Sequence, residues 1–242
     1  MTLKMKTAYL FDIDGTLTPP TQKMQGDFVY NFLNWSDKKD FFLVGGSSHE
    51  SIAKQVPFSI ISRSAGIFSS MANELKIQDK LIYKNKFDPP KTLIEMLSSF
   101  QINTKSPTLG KAPFLEYRTG MLNFTTVGRT IGLEQRNMYY EWDKKSQERK
   151  GIAKKVEETF PDLEAKLGGQ ISLDIQPKGF NKSQAVKYVR NLNKYDCIYF
   201  FGDKGFEGGN DYDARLEIEN NDTNDIFYAV KDCEDTKKLL FS

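Results

Sequence analysis

Short apolar runs that end in polar, glycine-rich turns mark the amino-terminal part of the chain. An apolar run over 7–11 ends in Asp12, helical spacing of apolar residues follows over 28–33, and a second apolar run over 41–44 reaches Gly45-Gly46-Ser47. This order predicts a strand, a helix and a second strand. Because ligands of open parallel sheets bind at the carboxyl ends of the strands, we expect the site chemistry at these two turns.

The carboxyl-terminal part has the same character. A helical pattern over 183–192 precedes a buried strand over 197–201, the loop Gly202-Asp203-Lys204, a short strand over 227–230 and a last helix. The acidic segment 211–225 predicts a loop around a short helix. Both ends of the chain therefore predict α/β structure.

The middle of the chain differs in texture. Its predicted elements are a helix from Asp88-Pro89-Pro90 to Phe100, a hairpin of 114–118 and 121–125, charged amphipathic helices over 133–148 and 152–160, and a strand over 170–175. This order is typical of an α+β module, and an insert of about 100 residues is long enough to fold as a unit. We therefore expect a discontinuous core domain, 1–81 and 180–242, that holds an inserted domain, 82–179.

Charge and composition narrow the function classes. The chain of 242 residues has 34 Lys and Arg against 32 Asp and Glu, which argues against a nucleic-acid binder that depends on a strongly basic face. Two cysteines, no long apolar segment and no signal-peptide pattern at the start predict a cytoplasmic protein without a membrane segment. Since His49 is the single histidine, carboxylates or lysines are expected to carry protons in any acid–base reaction.

Two carboxylates follow the first strand directly. Asp12 and Asp14 are two positions apart, so both side chains can face one cavity only if the strand has ended and the backbone turns, which Gly15 permits. Such a pair can chelate a hard cation, or can divide the work of nucleophile and acid. A plain strand-ending turn with solvated aspartates is the alternative for the isolated pair.

The block Asp12-Ile13-Asp14-Gly15-Thr16-Leu17-Thr18 resembles the first signature of the haloacid dehalogenase superfamily of phosphoryl-transfer enzymes. Ser47, Lys182 and the loop that runs from Gly202-Asp203-Lys204 to Gly208-Gly209-Asn210-Asp211 match the other three signatures in order. The resemblance implies a Rossmann-like core with a parallel sheet and an inserted α+β cap. It also implies that Ser47 and Lys182 contact the transferring phosphoryl group.

More specific motifs resemble the eukaryotic phosphomannomutase family. They run collinearly through the chain at 11–18, 44–47, 116–123, 128–129, 168–174, 198–204 and 239–242. The resemblance therefore covers nearly the whole sequence, including the insert. One departure is Thr21, which stands where the family usually has an arginine that binds phosphate.

The insert carries its own candidate site. Guanidinium groups suit bidentate phosphate recognition, and Arg118, Arg129 and Arg136 lie on or just after the predicted hairpin. Ser172 and Asp174 alternate on one strand, so their side chains share a face. A basic, solvent-facing surface is the alternative for the arginines alone. The family resemblance implies that all five residues bind substrate, the arginines chiefly through its distal phosphate.

The resemblance further implies a mechanism. Asp12 would be the nucleophile that forms an aspartyl-phosphate, and Asp14 the proton donor and acceptor. Mg²⁺ would be held by Asp12, Asp14 through its main-chain carbonyl, and Asp203, with Asn210 and Asp211 as further candidates. The expected reaction interconverts mannose 6-phosphate and mannose 1-phosphate with a hexose 1,6-bisphosphate as primer, and supplies GDP-mannose synthesis.

The same resemblance implies a homodimer joined through the cap domains. Two alternatives stay open at this point. One is a sugar-phosphate phosphatase with the same core and cap, which would release inorganic phosphate instead of isomerised sugar phosphate. The other is a non-catalytic sugar-phosphate binding protein. In each case the expected partner is a small sugar phosphate, with no nucleic acid and no membrane.

Overall fold

The computed structural model of the protein describes residues 5–221 and 223–241. The chain divides into two compact units, which we call unit 1 (Met1–Lys84 with Gly179–Ser242) and unit 2 (Asn85–Lys178). Ser242, the last residue of the carboxyl-terminal motif noted above, lies outside the described residues, as do 1–4 and 222.

Helices and strands alternate through most of unit 1, whereas unit 2 contains two hairpin-like strand pairs and three helices. The elements of the described residues, in chain order, are β1 (Thr7–Asp12), α1 (Gly26–Trp35), β2 (Asp40–Val44), α2 (His49–Gln55), α3 (Phe58–Ile61), β3 (Gly66–Ser69), β4 (Glu74–Ile77), β5 (Lys80–Lys84), α4 (Lys91–Asn103), β6 (Leu115–Arg118), β7 (Met121–Phe124), α5 (Leu133–Ser146), α6 (Glu148–Thr159), β8 (Leu163–Gly168), β9 (Ser172–Pro177), α7 (Ser183–Asn191), β10 (Cys197–Gly202), α8 (Tyr212–Glu219), β11 (Ile226–Ala229) and α9 (Cys233–Phe241). None of these helices is long and apolar enough to cross a bilayer.

The sheet of unit 1 has the strand order β11-β10-β1-β2-β3-β4-β5. The strands from β11 to β3 are parallel, and β4 and β5 continue the sheet as an antiparallel hairpin. The central strands are nearly continuous runs of apolar residues because helices cover both faces of the sheet. The predicted class, a Rossmann-like core with a mainly parallel sheet, is confirmed.

Apolar clusters on the two faces fix the sheet between its helices. On one face, Phe11 packs with Phe28 and Phe32 of α1, and on the other face Leu10 and Phe200 lie in one cluster with α7. The two cysteines are buried free thiols, as expected for small apolar residues in a core.

Strand register brings the predicted turns to one edge. Phe11 of β1 lies opposite Leu43 of β2 and opposite Phe201 of β10. Since all three strands are parallel, the segments that follow them emerge at the same carboxyl edge of the sheet. This edge therefore collects the turns after Asp12, Val44 and Gly202.

Unit 2 is built on an antiparallel sheet of order β6-β7-β9-β8. One face of this sheet packs against α4 and α6 through a cluster that includes Leu93, Phe124, Ile152 and Leu173. The alternate side chains of β9, Ser172 and Asp174, are only half-buried. The sheet therefore leaves a polar face for the candidate residues of this unit.

Inside unit 2, one helix boundary and one strand boundary differ from the predicted ones. The break between α5 and α6 falls at Gln147, which has a left-handed backbone with φ 56°, and Gly151 lies inside α6 although the spacing predicts a break there. The predicted strand over 170–175 begins instead at Ser172, after a turn over 169–171, and the strand before this turn, β8, is not among the predicted elements. In β8 the apolar residues Leu163, Ala165 and Leu167 alternate with polar residues and a glycine, so the period-two pattern of a strand is present in its sequence.

Candidate functional site

Asp12 ends β1 in a buried position where it meets a lysine from a distant part of the chain. The carboxylate is 2 % exposed and accepts a hydrogen bond from the Nζ of Lys182, whose side chain has no exposure to solvent. Lys182 lies at the start of α7 and also donates to Oδ1 of Asp211 at 2.7 Å. The two carboxylates therefore share one buried ammonium group.

Burial and charge act against each other in this group. Burial, together with the neighbouring Asp211 carboxylate, raises the pKa of Asp12 to about 7, although Lys182 acts in the opposite direction. Burial alone would lower the pKa of Lys182, but Asp12 and Asp211 outweigh it and raise that pKa. Lys182 is therefore held as a cation beside two carboxylates that are poorly solvated.

A third carboxylate completes an acidic cluster at the same edge. Asp12, Asp203 and Asp211 each offer a carboxylate oxygen, and these atoms all lie within 4.8 Å of one another. Lys182 contacts Asp12 and Asp211, and Nζ of Lys204 lies 3.5 Å from Oδ2 of Asp203, so three carboxylates share two ammonium groups and the cluster keeps an excess of negative charge. Burial is the main cause that raises the pKa of Asp203, which the lysine at position 204 partly counteracts.

Two oxygen atoms near this cluster lack hydrogen-bond donors. Among the described residues, Oδ1 of Asp203 and Oδ1 of Asn210 are buried without a hydrogen-bond partner. Buried acceptors are rarely left unsatisfied, and carboxylate and amide oxygens are the ligands that Mg²⁺ prefers. The donor set of Asp12, Asp203, Asp211 and Asn210 therefore fits a hard divalent cation, and Asp211 carries more weight in it than the sequence indicates.

Gly15 lies in the turn after β1 and allows the loop after β10, which carries Asp203, to approach this turn closely. Its φ is +88°, and a Cβ atom placed there would lie 2.3 Å from Oδ2 of Asp203. Only glycine adopts this backbone conformation without strain and leaves room for the carboxylate. The glycine of the first signature is thus required by the close approach of Asp203.

Asp14 lies outside the carboxylate cluster. Its Oδ1 accepts a hydrogen bond of 2.6 Å from the backbone N–H of Thr21, whose own φ is +61°. A main-chain contact from Thr21 therefore orients Asp14. The expected contribution of the Asp14 main-chain carbonyl to a metal site stays a prediction.

Ser47 and His49 follow β2 at the same sheet edge. Ser47 is half-buried, and its carbonyl accepts a hydrogen bond of 2.7 Å from the backbone N–H of Ser70. His49 begins α2, and burial lowers its pKa. Asp12 thus ends the parallel strand β1, and Ser47 and Asp203 follow the parallel strands β2 and β10. Lys182 directly precedes α7, the helix that the sequence predicts over 183–192.

Unit 2 brings its five predicted residues to one cavity. The cavity measures about 250 Å³ and is lined by Arg118, Arg129, Arg136, Ser172 and Asp174. Asn123, Thr125 and the segment from Gly168 to Ile171 complete its wall. The arginines thus converge on a concave site, which the alternative of a plain basic surface does not predict.

Acidic and amide groups hold these arginines. Glu116 pairs with Arg118 at 2.7 Å and with Arg129 at 2.8 Å, and Asn123 accepts from Arg129 while it donates to Asp174 at 2.5 Å. Hydrogen bonds from Arg118, then the positive charges of both arginines, lower the pKa of Glu116. Sequence reasoning assigned no role to Glu116, although its spacing of two from Arg118 places both side chains on one face of β6.

Desolvation distinguishes Arg129 from its neighbours. Burial lowers the pKa of Arg129, while Glu116 counteracts this effect. Its Nε is buried without a partner among the described residues. Arg129 thus lines the cavity and keeps one buried N–H group without a partner.

The sequence is similar to phosphomannomutases over nearly its whole length. The family model of eukaryotic phosphomannomutases matches residues 31–242. A phosphomannomutase of Saccharomyces cerevisiae is 30% identical over 249 aligned positions, which cover 98% of this chain and 94% of the yeast protein.

Solved structures of lower identity share the fold. A phosphatase of the haloalkanoate dehalogenase superfamily from Bacteroides thetaiotaomicron has a TM-score of 0.58 at 15% identity, and the match covers 88% of this chain and 81% of the phosphatase. The IMP-nucleotidase of Plasmodium falciparum has a TM-score of 0.64 at 15% identity, over 98% of this chain and 68% of the nucleotidase. The family model and the yeast relative, taken with this fold, show that the chain belongs to the eukaryotic phosphomannomutase family, a family of isomerases.

Proposed function

We propose that the protein is a phosphomannomutase that interconverts mannose 6-phosphate and mannose 1-phosphate. The observation that carries the proposal is the meeting of Asp12, Lys182, Asp203 and Asp211 at one sheet edge, in a chain of this family. The arginine cavity of unit 2 supports a substrate that carries phosphate. The proposed reaction class is intramolecular phosphoryl transfer primed by a hexose 1,6-bisphosphate.

Asp12 is the proposed nucleophile. Its carboxylate attacks the phosphorus of a bound hexose bisphosphate, the bond from phosphorus to the sugar oxygen breaks, and an aspartyl-phosphate forms. Lys182 donates to Asp12 and supplies a fixed positive charge where negative charge accumulates. Ser47 is proposed to donate its hydroxyl to a phosphoryl oxygen.

Asp14 is the proposed acid and base. It gives its proton to the leaving sugar oxygen and takes the proton of the sugar hydroxyl that later attacks the aspartyl-phosphate. The hydrogen bond from the backbone N–H of Thr21 to Oδ1 of Asp14 leaves the second carboxylate oxygen as the one to exchange protons. A carboxylate in this role agrees with the single histidine of the chain.

Asp12, Asp203, Asp211 and Asn210 are the residues that would hold Mg²⁺. The buried oxygens of Asp203 and Asn210 without donors, and the excess of carboxylates over cations, support this assignment. When bound, the ion supplies positive charge that offsets repulsion between the nucleophile and the phosphate dianion.

Unit 2 is proposed to recognise a second phosphate. Arg118, Arg129 and Arg136 would take its oxygens, and Ser172 and Asp174 would take sugar hydroxyls. We further propose that the protein is a cytoplasmic homodimer joined through unit 2. Its product, mannose 1-phosphate, would supply GDP-mannose synthesis. Light scattering of the purified protein tests the dimer.

The product of the reaction tests the function. Mannose 1-phosphate is incubated with Mg²⁺, with and without glucose 1,6-bisphosphate, and both mannose 6-phosphate and inorganic phosphate are measured. We expect isomerisation that depends on the bisphosphate and exceeds phosphate release. Phosphate release without isomerisation would identify a phosphatase, and binding without turnover a non-catalytic sugar-phosphate binding protein.

Replacing the nucleophile tests the mechanism. Asp12→Asn keeps the size of the side chain and removes its charge, so turnover should fall by at least about 10³-fold, the order of loss seen when a catalytic nucleophile is removed. Binding of the bisphosphate, measured by calorimetry, should change by less than about tenfold, because its other contacts stay. The matched control is Asp37→Asn at an exposed carboxylate, which should keep full activity. Retained turnover in Asp12→Asn would refute the assignment.

A further inference from the structure

A buried ion pair lies at the break between α5 and α6 in unit 2. Oδ2 of Asp143 is 2.8 Å from Nε of Arg149, and both side chains are about 95% buried, with 5 % and 4 % of their surface exposed. Oδ1 of Asp143 accepts a second hydrogen bond, of 2.9 Å, from the backbone N–H of Arg149. The left-handed Gln147 lets the chain turn so that one carboxylate receives both donors.

The guanidinium group of Arg149 extends beyond this pair. Its Nη1 donates to the carbonyl oxygens of Gly169 at 3.0 Å, Ser172 at 3.3 Å and Gly168 at 3.4 Å. A planar guanidinium group can serve the carboxylate and these carbonyls at once, whereas the ammonium group of a lysine is a point donor on a flexible stem. Arg149 therefore holds carbonyl oxygens within and on both sides of the turn between β8 and β9.

This turn shapes the arginine cavity. Gly168, Gly169 and Ser172 all line the cavity, and the hydroxyl of Ser172 donates to the carbonyl of Gly168 at 2.8 Å. A Cβ atom at Gly168 would lie 2.7 Å from Oδ2 of Asp174, so the turn also packs against that carboxylate. A shift of the turn would move Ser172 and the contacts of Asp174 together.

We infer that Arg149 is a positioning residue for phosphate and sugar binding in unit 2. Among the described residues, Arg149 is not one that lines the cavity. It acts through its hydrogen bonds to the carbonyl oxygens of Gly168, Gly169 and Ser172. The cavity is thereby ordered before the ligand arrives, which reduces the conformational entropy lost on binding. This inference rests on the proposed function, because it takes a sugar bisphosphate as the ligand.

The experiment compares Arg149→Lys with the wild type. The lysine keeps the charge opposite Asp143 and loses the planar fork. The dissociation constant of glucose 1,6-bisphosphate is measured by calorimetry, and KM and kcat are measured for isomerisation. Because the cavity would no longer be ordered before the ligand binds, we expect the dissociation constant and KM to rise roughly 10- to 100-fold, with kcat changed less than about threefold.

Hydrogen exchange gives a readout that does not depend on activity. Amides of 168–172 should exchange faster in Arg149→Lys, while those of β7 stay protected as in the wild type. The matched control is Lys150→Met, which changes the exposed next residue and should leave binding and exchange unaltered. If Arg149→Lys does not fold, Asp143→Asn keeps Arg149 but weakens its anchor, and it should raise the dissociation constant and the exchange rate in the same direction.

Each outcome decides between two claims. Unchanged binding in a folded Arg149→Lys protein, or faster exchange throughout unit 2 with unchanged KM, would show a purely structural ion pair and overturn the inference. A wild type that binds the bisphosphate without isomerising it would refute the proposed function, while the binding and exchange of the variants would still decide the role of Arg149.

Discussion

Lys182 offers a sharp test of the buried charges in unit 1. Its side chain has no exposure to solvent, and its ammonium group contacts both Asp12 and Asp211. Lys182→Met retains most of the apolar stem and removes the charge. Both carboxylates then lose a hydrogen-bond donor and their only cation at contact distance among the described residues.

The size of the effect follows from this geometry. Removal of one partner of a buried ion pair costs about 3–5 kcal/mol, because the remaining charge is left without compensation. For a chain of this length, a change of 1 kcal/mol moves the midpoint of thermal unfolding by about 2–4 °C. We therefore expect the unfolding midpoint of unit 1 to fall by roughly 6–20 °C in Lys182→Met when EDTA removes divalent cations.

The two tryptophans make unit 1 separately measurable. Trp35 packs on Tyr9 and Phe11 of β1 in unit 1, whereas Trp142 belongs to unit 2. In a Trp142→Phe background, tryptophan fluorescence therefore reports the unfolding of unit 1 alone. The comparison is made in urea and by heating, with and without Lys182→Met.

The matched control lies on the same helix. Lys187 of α7 has a side chain that is 54% exposed and pairs with Glu217 at 3.5 Å, so Lys187→Met should change stability by less than about 0.5 kcal/mol. Equal unfolding midpoints for Lys182→Met and the wild type in EDTA would refute the reasoning. That result would mean that the two carboxylates do not depend on the buried ammonium group.

Two further perturbations test other parts of the molecule. Gly15→Ala places a Cβ atom against Asp203 and strains a left-handed backbone, so Mg²⁺ should raise the unfolding midpoint less than in the wild type; Gly26→Ala at an open position is the control, and an unchanged Mg²⁺ effect would contradict the explanation. Because Arg118 and Arg129 hold the pKa of Glu116 below its ordinary value of 4.5, its ionised form stabilises unit 2 above that pH, and this contribution is lost as the pH falls through the lower folded-state value. The wild type should therefore lose more stability than Glu116→Gln between roughly pH 5 and pH 3, followed by Trp142 fluorescence in a Trp35→Phe background; parallel curves would show that the pair has no effect.

Strand ends were predictable where they coincide with motifs. The buried apolar runs before Asp12, Gly45 and Gly202 predict strands of a parallel sheet, and the structure places these strands side by side. The order of motifs along the chain also led to Lys182, which is fully buried. Lysines are seldom buried, so composition alone would have left this residue on the surface.

The hairpin of β4 and β5 escaped prediction for a physical reason. Its turn uses Gln78 and Asp79, both with left-handed backbones, where glycine or asparagine would be the usual signal. The edge strand β5 is largely exposed and carries lysines at both ends, so it lacks the alternation of a half-buried strand. The antiparallel edge of the sheet therefore could not be read from spacing.

The sequence predicts which residues belong to the candidate sites better than it predicts the contacts that these residues make. The five residues of the unit 2 cavity follow from arginine chemistry, strand alternation and the family motifs. The hydrogen bond between Asp14 and the Thr21 backbone depends on a positive φ at a β-branched residue, which no sequence pattern indicates. The roles of these residues in the reaction stay predictions until the variants are measured.

Unit 1 is built from two segments of the chain that are separated by unit 2, and this has a consequence during synthesis of the protein. Thr7 of β1 pairs with Cys197 of β10, and the two residues are 190 positions apart. At about 5–20 residues per second, a ribosome needs roughly 10–40 s to make the second strand after the first. During this interval one edge of β1 lacks its partner and is open to pairing with other chains. Asp12 is thus made well before Lys182, Asp203 and Asp211, the first of which follows it by 170 residues.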